Sequence, residues 1–317
     1  DYAFAPELAG TEPTAVFPAK SVGREEAWST NYDLFVQRVD GTLPPDGLPK
    51  SITPSNKAWD AGPVFSPDGR RLAYRAMSRP GYEADRFRII VRSRPDGAER
   101  ELARDWDRSP ADLVFSGDGK TLFATADDLG HHGLFAIDVA TGAVRPVIRA
   151  GTVSAVRRAG DRLLVAIDHF RSPDELYTVR PDGSELTQIT HVNGRLLDAV
   201  KFGEPEEFTF KGALGDTVHG WIVKPADLDP AKKYPVAFLI HGGPQGSFGN
   251  EFHYRWNPQA YAGAGYAAVM VDFHGSTGYG QTFTDAINGD WGGKPLEDLQ
   301  KGLAAALAKY PFLDGNR

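Results

Sequence analysis

Hydrophobic and polar positions divide the chain into two regimes. Through the first two-thirds, apolar residues come in short groups broken by Asp-Gly and similar turns. In the last third they form two unbroken runs, Val236–Ile240 and Tyr266–Val271. Short groups between turn residues fit antiparallel strands. Unbroken runs of this length fit strands buried on both faces of a parallel sheet.

The short groups repeat. Val64-Phe-Ser-Pro-Asp-Gly-Arg-Arg-Leu-Ala-Tyr74 is echoed at Val114-Phe-Ser-Gly-Asp-Gly-Lys-Thr-Leu-Phe-Ala124, and a worn third copy runs Val156–Ala166. Each reads as strand, Asp-Gly-type turn, strand, which is a hairpin signal. A second strand pair with its own Gly turn follows each copy: Ile89–Val91 with Asp96-Gly97, Leu134–Val139 with Thr141-Gly142, and Leu176–Val179 with Asp182-Gly183. Leu34–Val39 with Asp40-Gly41 reads as the tail of an earlier unit. Four short strands in roughly 40–50 residues is the pattern of a β-propeller blade. Residues 1–204 are therefore expected to form an incomplete propeller of about three and a half blades. A partial ring leaves strand edges open, so further blades are expected before residue 1.

Residues 205–317 are expected to form the first part of an α/β-hydrolase domain. Phe208–Phe210 and Val218–Val223 read as a hairpin, followed by the two buried strands. Lys294–Tyr310 reads as an amphipathic helix with Leu296, Leu299, Leu303, Leu307 and Tyr310 on its apolar stripe. Glu297 and Asp298 suit the positive end of its dipole, and Gly302 is a weak point inside it. Asp314-Gly315 turns toward a strand that the sequence does not contain. The two buried strands break into His241-Gly242-Gly243-Pro244 and into Asp272-Phe-His-Gly-Ser-Thr-Gly-Tyr-Gly280. Parallel sheets place their chemistry in such loops. A His-Gly-Gly turn is one known way to aim backbone N–H groups at an oxyanion.

Charge and composition narrow the partners. The formal net charge is −7 and no basic block stands out, so nucleic acid is not an expected partner. No run of 18 apolar residues exists, so a membrane span is not expected. With no cysteine there are no disulfides, cysteine nucleophiles or thiolate metal sites. The adjacent pair His131-His132, read as lying in a loop after Asp127-Asp128, has poor spacing for a metal. No metal or organic cofactor is implied. Two polar clusters, Arg24–Asp33 and Arg79–Arg86, exceed what turns require. They either line a ligand channel or form solvated loops and ion pairs. The chain starts Asp-Tyr-Ala-Phe and ends Asp-Gly-Asn-Arg, which reads as part of a longer chain.

The His241–Pro244 and Asp272–Gly280 loops, Asp290-Trp-Gly-Gly293 and the helix carrying Glu297-Asp298 resemble the prolyl oligopeptidase family of serine peptidases. The Gly81-Tyr-Glu-Ala-Asp-Arg86 stretch is similar to the dipeptidyl-peptidase V branch, with acylaminoacyl peptidases as the neighbouring branch. The resemblance implies a Ser-Asp-His hydrolase capped by a seven-bladed propeller that admits short peptides. It implies dipeptides, or acyl-amino acids, released through an acyl-enzyme. It also exposes a gap. No Gly-x-Ser-x-Gly elbow is present, and Ser247 and Ser276 have the wrong spacing, so this chain alone is expected to be inactive.

By match to the family motif, Gly243 supplies an oxyanion-hole N–H and Gly242 allows the close approach. His241, His274 and Ser276 are expected to brace the loops. Phe248 and Tyr254, with Phe252 and Trp256, either border the substrate pocket or pack their loop. Glu25 and Glu26 are candidates for holding a substrate's free amino end. The resemblance favours an extracytoplasmic site, periplasmic or secreted, over the cytoplasm, and leaves a homo-oligomer open. The alternative from another class is a non-catalytic propeller-based binding or scaffold module with an incomplete hydrolase domain.

Overall fold

A computed structural model describes residues 2–4, 14–39, 47–94 and 96–317. Among the described residues the repeat becomes four blades of antiparallel strands. Blade one pairs Ala3–Phe4, Thr14–Ala19, Asp33–Arg38 and Lys50–Ser51. Blade two pairs Asp60–Phe65, Arg71–Ala76, Arg88–Ser93 and Glu99–Leu102. Blade three comprises Pro110–Phe115, Thr121–Asp128, His131–Asp138 and Val144–Ile148. Blade four comprises Thr152–Ala159, Arg162–His169, Ser172–Val179 and Thr187–Gln188.

The count is four rather than three and a half because blade one's outer strands are two residues each, too short to leave a hydrophobic pattern. The turn expected at Asp40-Gly41 lies outside the described residues. The repeated motif has a physical cause. In both copies the Ser hydroxyl donates to the Asp two residues on, at 2.6 Å for Ser66–Asp68 and for Ser116–Asp118. In both, that hydroxyl accepts the N–H five residues on, at 3.0 Å for Arg71 and for Thr121. Gly69 and Gly119 take left-handed φ of 67° and 68°, which closes each turn without a Cβ penalty.

Apolar faces pack blade against blade. Ile89, Val91 and Leu102 of blade two meet Leu113, Leu122 and Ile137 of blade three, and Phe123, Leu134 and Ala136 of blade three meet Val156, Leu163 and Val165 of blade four.

The remaining residues build a mixed sheet with helices: β1 (Pro205–Lys211), β2 (Thr217–Val223), β3 (Tyr234–Leu239), α1 (Pro258–Gly263), β4 (Ala267–Asp272), α2 (Gln281–Asp285), α3 (Lys294–Lys309) and β5 (Leu313–Asp314). The strand order is β1-β2-β4-β3-β5. β1, β2 and β4 pair antiparallel in succession, while β3 is parallel to both β4 and β5. Every residue of β4 is buried, as its unbroken apolar run requires. The strand expected only after the end of the sequence begins within it. Tyr234 and Pro235 of β3 face Leu313 and Asp314, and the Val236 N–H donates to Arg317 O at 2.9 Å.

α3 follows the helical stripe in part: Leu299 and Leu307 pack against the core, and Tyr310, just past the end of the helix, is buried. Its buried residues are Pro295, Asp298, Gly302 and Ala306, one position away from the leucines, and Leu296 is 48% exposed. A Cβ on Gly302 would sit 2.6 Å from Val271 Cγ2 and 2.8 Å from Phe210 Cζ, so helix and sheet side chains approach closely at this glycine. It is a packing requirement rather than a weak point. On the other face of the sheet, Trp221 meets Phe170 of blade four edge-to-face at 5.2 Å, joining hydrolase and propeller through apolar surface.

Candidate active site

Two loops leave the carboxyl ends of β3 and β4 and hold each other. Asp272, the last residue of β4, is 2% exposed. Its Oδ2 accepts from Ser247 Oγ at 2.6 Å and from Tyr279 OH at 2.7 Å, and its Oδ1 accepts from the Phe248 N–H at 2.8 Å. One carboxylate thus fastens both loops. Burial, and then the Asp272 charge, push the Tyr279 phenol well above its ordinary range, which keeps it a donor. A direct tie runs beside it, from the Thr277 N–H to Gly246 O at 2.9 Å.

His241 sits between the loops. Its ring stacks on Phe273 at 4.4 Å and meets Phe248 edge-on at 5.5 Å. Its Nε2 is 2.9 Å from Ser276 Oγ, and its Nδ1 is 3.0 Å from Gly242 O. Ser276, His241 and Asp272 together imitate a Ser-His-Asp constellation, but the geometry is not that of a triad. Asp272 approaches the same nitrogen as Ser276, at 3.6 Å, instead of orienting the ring through the other one. Ser276 is also fully buried, so no substrate carbonyl reaches its oxygen.

Beyond His241 the chain turns outward. Gly242 and Gly243 are exposed, and among the described residues neither N–H is bonded to another group. Gly243 has φ +129°, and a Cβ there would lie 2.8 Å from Gln245 N, whereas one on Gly242 would meet nothing within 4 Å. The backbone constraint falls on Gly243.

His274 belongs to a second buried cluster. Its Nδ1 is 2.6 Å from Asp298 Oδ2, its own N–H donates to that oxygen at 2.7 Å, and its Nε2 is 3.2 Å from Asp216 Oδ2. Asp298 Oδ1 accepts the Ala213 N–H at 2.7 Å. Asp298, expected from the sequence to suit the helix dipole, is fully buried and functions as an acceptor hub. The signal for this was an acidic residue on the small-residue stripe of Pro295, Gly302 and Ala306.

The segment after the glycines docks on the propeller. The Asn250 N–H donates to Gly130 O at 2.8 Å, Phe170 N–H donates to Asn250 Oδ1 at 3.1 Å, and Phe252 N–H donates to Asp168 Oδ1 at 2.5 Å. Burial raises the Asp168 carboxyl to about 6. Burial, then the Asp127 and Asp272 charges, raise that of Glu251.

A cavity of about 480 Å³ opens here, lined by Phe248, Glu251, His253, Trp256 and the His241-Gly242 turn. Tyr254 does not line it; the ring is 83% exposed and leans edge-on against Phe252 at 5.2 Å. Glu25 and Glu26 line neither this cavity nor the cleft between propeller and hydrolase. They sit on an exposed turn of blade one. That cleft, of about 340 Å³, instead takes Glu83, Asp85, Arg86 and Asp107 from the propeller, with Gln245 and Thr277 opposite. The second polar cluster, not the first, therefore faces the hydrolase loops. His131 and His132 are strand residues rather than loop residues. His132 Nδ1 is 2.6 Å from Asp127 Oδ1, and His131 packs edge-on against Trp221 at 5.5 Å.

A propeller joined to a mixed sheet with a His-Gly-Gly turn beyond its parallel strand defines a propeller-capped α/β-hydrolase architecture. The sequence profile described as "Prolyl oligopeptidase family" matches residues 252–317. The chain is 37% identical over 321 residues to dipeptidyl-peptidase 5 of Schizosaccharomyces pombe, covering 95% of this chain and 46% of that protein. It is 39% identical over 264 residues to dipeptidyl-peptidase 5 of Aspergillus fumigatus, covering 80% and 36%. Among solved structures, the fold is similar to Pyrococcus horikoshii acylaminoacyl peptidase, with TM-score 0.77, 24% identity, and coverage of 100% of this chain and 47% of that one. An acylaminoacyl peptidase in complex with Z-Gly-Gly-Phe-chloromethyl ketone gives TM-score 0.78, 24% identity, and 100% and 47% coverage. The match to the prolyl oligopeptidase family thus falls on the carboxyl-terminal part, while nearly the whole chain is similar to dipeptidyl-peptidase 5. The chain spans about half the length of the curated relatives it matches.

Proposed function

We propose that this chain supplies the propeller side and the oxyanion-binding half of a serine peptidase that releases dipeptides, or acyl-amino acids, from the N-termini of short peptides. The observation that carries the reading is the Gly242–Gly243 turn. Its unbonded N–H groups sit at the carboxyl end of β3, on a loop fastened by Asp272. Backbone donors fixed before the substrate arrives stabilise the negative oxygen of a tetrahedral intermediate without reorganising, and one such donor is worth about 2.7–4 kcal/mol in well-studied hydrolases. The nucleophile of an acyl-enzyme mechanism would come from a Gly-x-Ser-x-Gly elbow, which this sequence does not contain. The propeller beside the cleft would restrict access to short chains.

The test uses the chain extended to the length of its relatives. Fluorophosphonate treatment is expected to add one adduct to the extended protein and none to residues 1–317 alone. Labelling of the 317-residue chain at stoichiometric level would sink the division of roles proposed here. Turnover of dipeptidyl against acetyl-aminoacyl chromogenic amides then separates the two substrate classes.

A further inference from the structure

We propose that Arg79 and Asp285 are positioning residues for the oxyanion turn, so that blade two of the propeller sets the geometry of the hydrolase's backbone donors. The proposal rests on the reading of Gly242–Gly243 given above. Arg79 Nη1 and Nη2 donate to Asp285 Oδ2 and Oδ1 at 2.8 and 2.9 Å, a two-pronged pair between segments more than 200 residues apart in sequence. Such a fork fixes orientation as well as distance.

Both members are held from behind. Arg79 Nε donates to Asp85 Oδ1 at 2.6 Å, and Asp85, itself buried, accepts the Ser78 and Arg79 N–H groups at 2.7 and 2.9 Å. Asp285 Oδ1 also accepts Tyr82 OH at 3.0 Å and Gln281 Nε2 at 2.8 Å, while the same Gln281 nitrogen donates to Ala84 O of the propeller at 2.9 Å.

Asp285 closes α2, and α2 is bonded into the loop that braces His241. The Gly275 N–H donates to Phe283 O at 2.9 Å, and Thr284 Oγ1 donates to Ser276 O at 3.0 Å. Gly275 has φ +115° and its absent Cβ would lie 3.0 Å from the Ile287 side chain, so this stretch has little room to adjust. From there Ser276 Oγ reaches His241 Nε2 at 2.9 Å and the Thr277 N–H reaches Gly246 O at 2.9 Å. These two bonds lie at opposite ends of the turn that presents Gly242 and Gly243. A displacement of α2 is therefore passed to both ends of the donor turn through hydrogen bonds of ordinary length. An exposed ion pair that only tied two domains together would contribute little to stability and nothing to the turn.

Two measurements decide it. In the 317-residue chain, Arg79→Met is expected to speed hydrogen exchange at the Gly275 and Thr277 amides about tenfold, with Arg71–Ala76 of blade two unchanged as the folding control. Unchanged exchange at Gly275 and Thr277 would overturn the proposal. In the chain extended to the length of its relatives, Arg79→Met and Asp285→Leu are each expected to lower kcat per fluorophosphonate-titrated site roughly 3–30-fold, the double variant no more than either single, with KM within about twofold. A loss confined to the number of titrated sites would mark the pair as structural only and would also overturn it. Failure of the unsubstituted extended protein to label would instead remove the acyl-enzyme reading, while the exchange result still decides whether the pair positions the turn.

Discussion

Asp298 and His274 meet at 2.6 Å in a site where both are almost wholly excluded from solvent, and the same carboxylate holds the N–H groups of His274 and Ala213. It thereby ties the amino end of α3 to the end of β4 and to the turn before β2. Asp298→Ala would leave three buried donors without an acceptor. Each such group costs about 1–3 kcal/mol, so a loss on the order of 4 kcal/mol is expected, and Asp298→Asn, which keeps one acceptor oxygen, should lose less. Urea unfolding of the chain measures both. Equal and small losses would show that the network is not holding α3.

Gly302 is expected to behave against its propensity. In an exposed helix, Gly→Ala gains about 1 kcal/mol. Here the new methyl would stand 2.6 Å from Val271 Cγ2, inside a strand whose every residue is buried. Overpacking at such a site costs about 1–3 kcal/mol, which outweighs the propensity gain. Gly302→Ala should therefore lower the melting temperature. A variant more stable than the original would mean that the helix can back away from the sheet.

These two residues show where the sequence was readable and where it was not. The runs in β3 and β4 declare themselves because a strand covered on both faces has no polar positions to interrupt it. The blade hairpins declare themselves because the Ser hydroxyl and Asp carboxylate needed to close one turn are needed again fifty residues later at Ser116 and Asp118. In α3 the leucines mark only one flank of the buried face: Leu299 and Leu307 reach the core, while Leu296 does not. Close approach to the sheet selects Gly302 and Ala306 for the most buried line, and it carries Asp298 in with them. Glu25 and Glu26 could not be told from Glu83 and Asp107 by residue type. Which cluster faces the hydrolase depends on the rotation of each blade about the ring, and no local pattern encodes that. The partners of Asp272, Asp285 and Asp168 lie across the chain fold for the same reason.

Asp168 gives a pH-dependent prediction. Burial raises its carboxyl from 3.8 to about 6, so the folded state binds this proton more tightly than the unfolded chain does. The contribution to stability is therefore present in full below about pH 4 and is lost as pH rises through about 6. At pH 7 the ionised group costs roughly 2–3 kcal/mol. Asp168→Asn removes the charge and keeps an oxygen for the Phe252 N–H. It should stabilise the chain at pH 7.5, and the gap between variant and original should close near pH 4.5. Melting curves at the two pH values decide the matter, and a gap of the same size at both would remove Asp168 as its source.

The donor turn allows a comparison between adjacent glycines. At Gly243, φ is +129° and a methyl would lie 2.8 Å from Gln245 N, contacts that belong to the turn itself and cannot be relieved by a side chain moving away. Proline is equally unsuited there, because its ring fixes φ near −65° and would refold the turn as well as remove the donor. Gly242 has open space where its Cβ would be. In the chain extended to the length of its relatives, Gly243→Ala is expected to lower kcat about 100-fold or more, the range seen when one oxyanion donor is lost. Gly242→Ala is expected to stay within about fivefold, and both variants should melt within a few degrees of the original, since both glycines are exposed and neither substitution removes a buried side chain. Steady-state kinetics normalised to titrated sites make the comparison. If the two substitutions cost the same, the donor is not set by the backbone at Gly243, and the substrate oxygen must be held from elsewhere in the cleft.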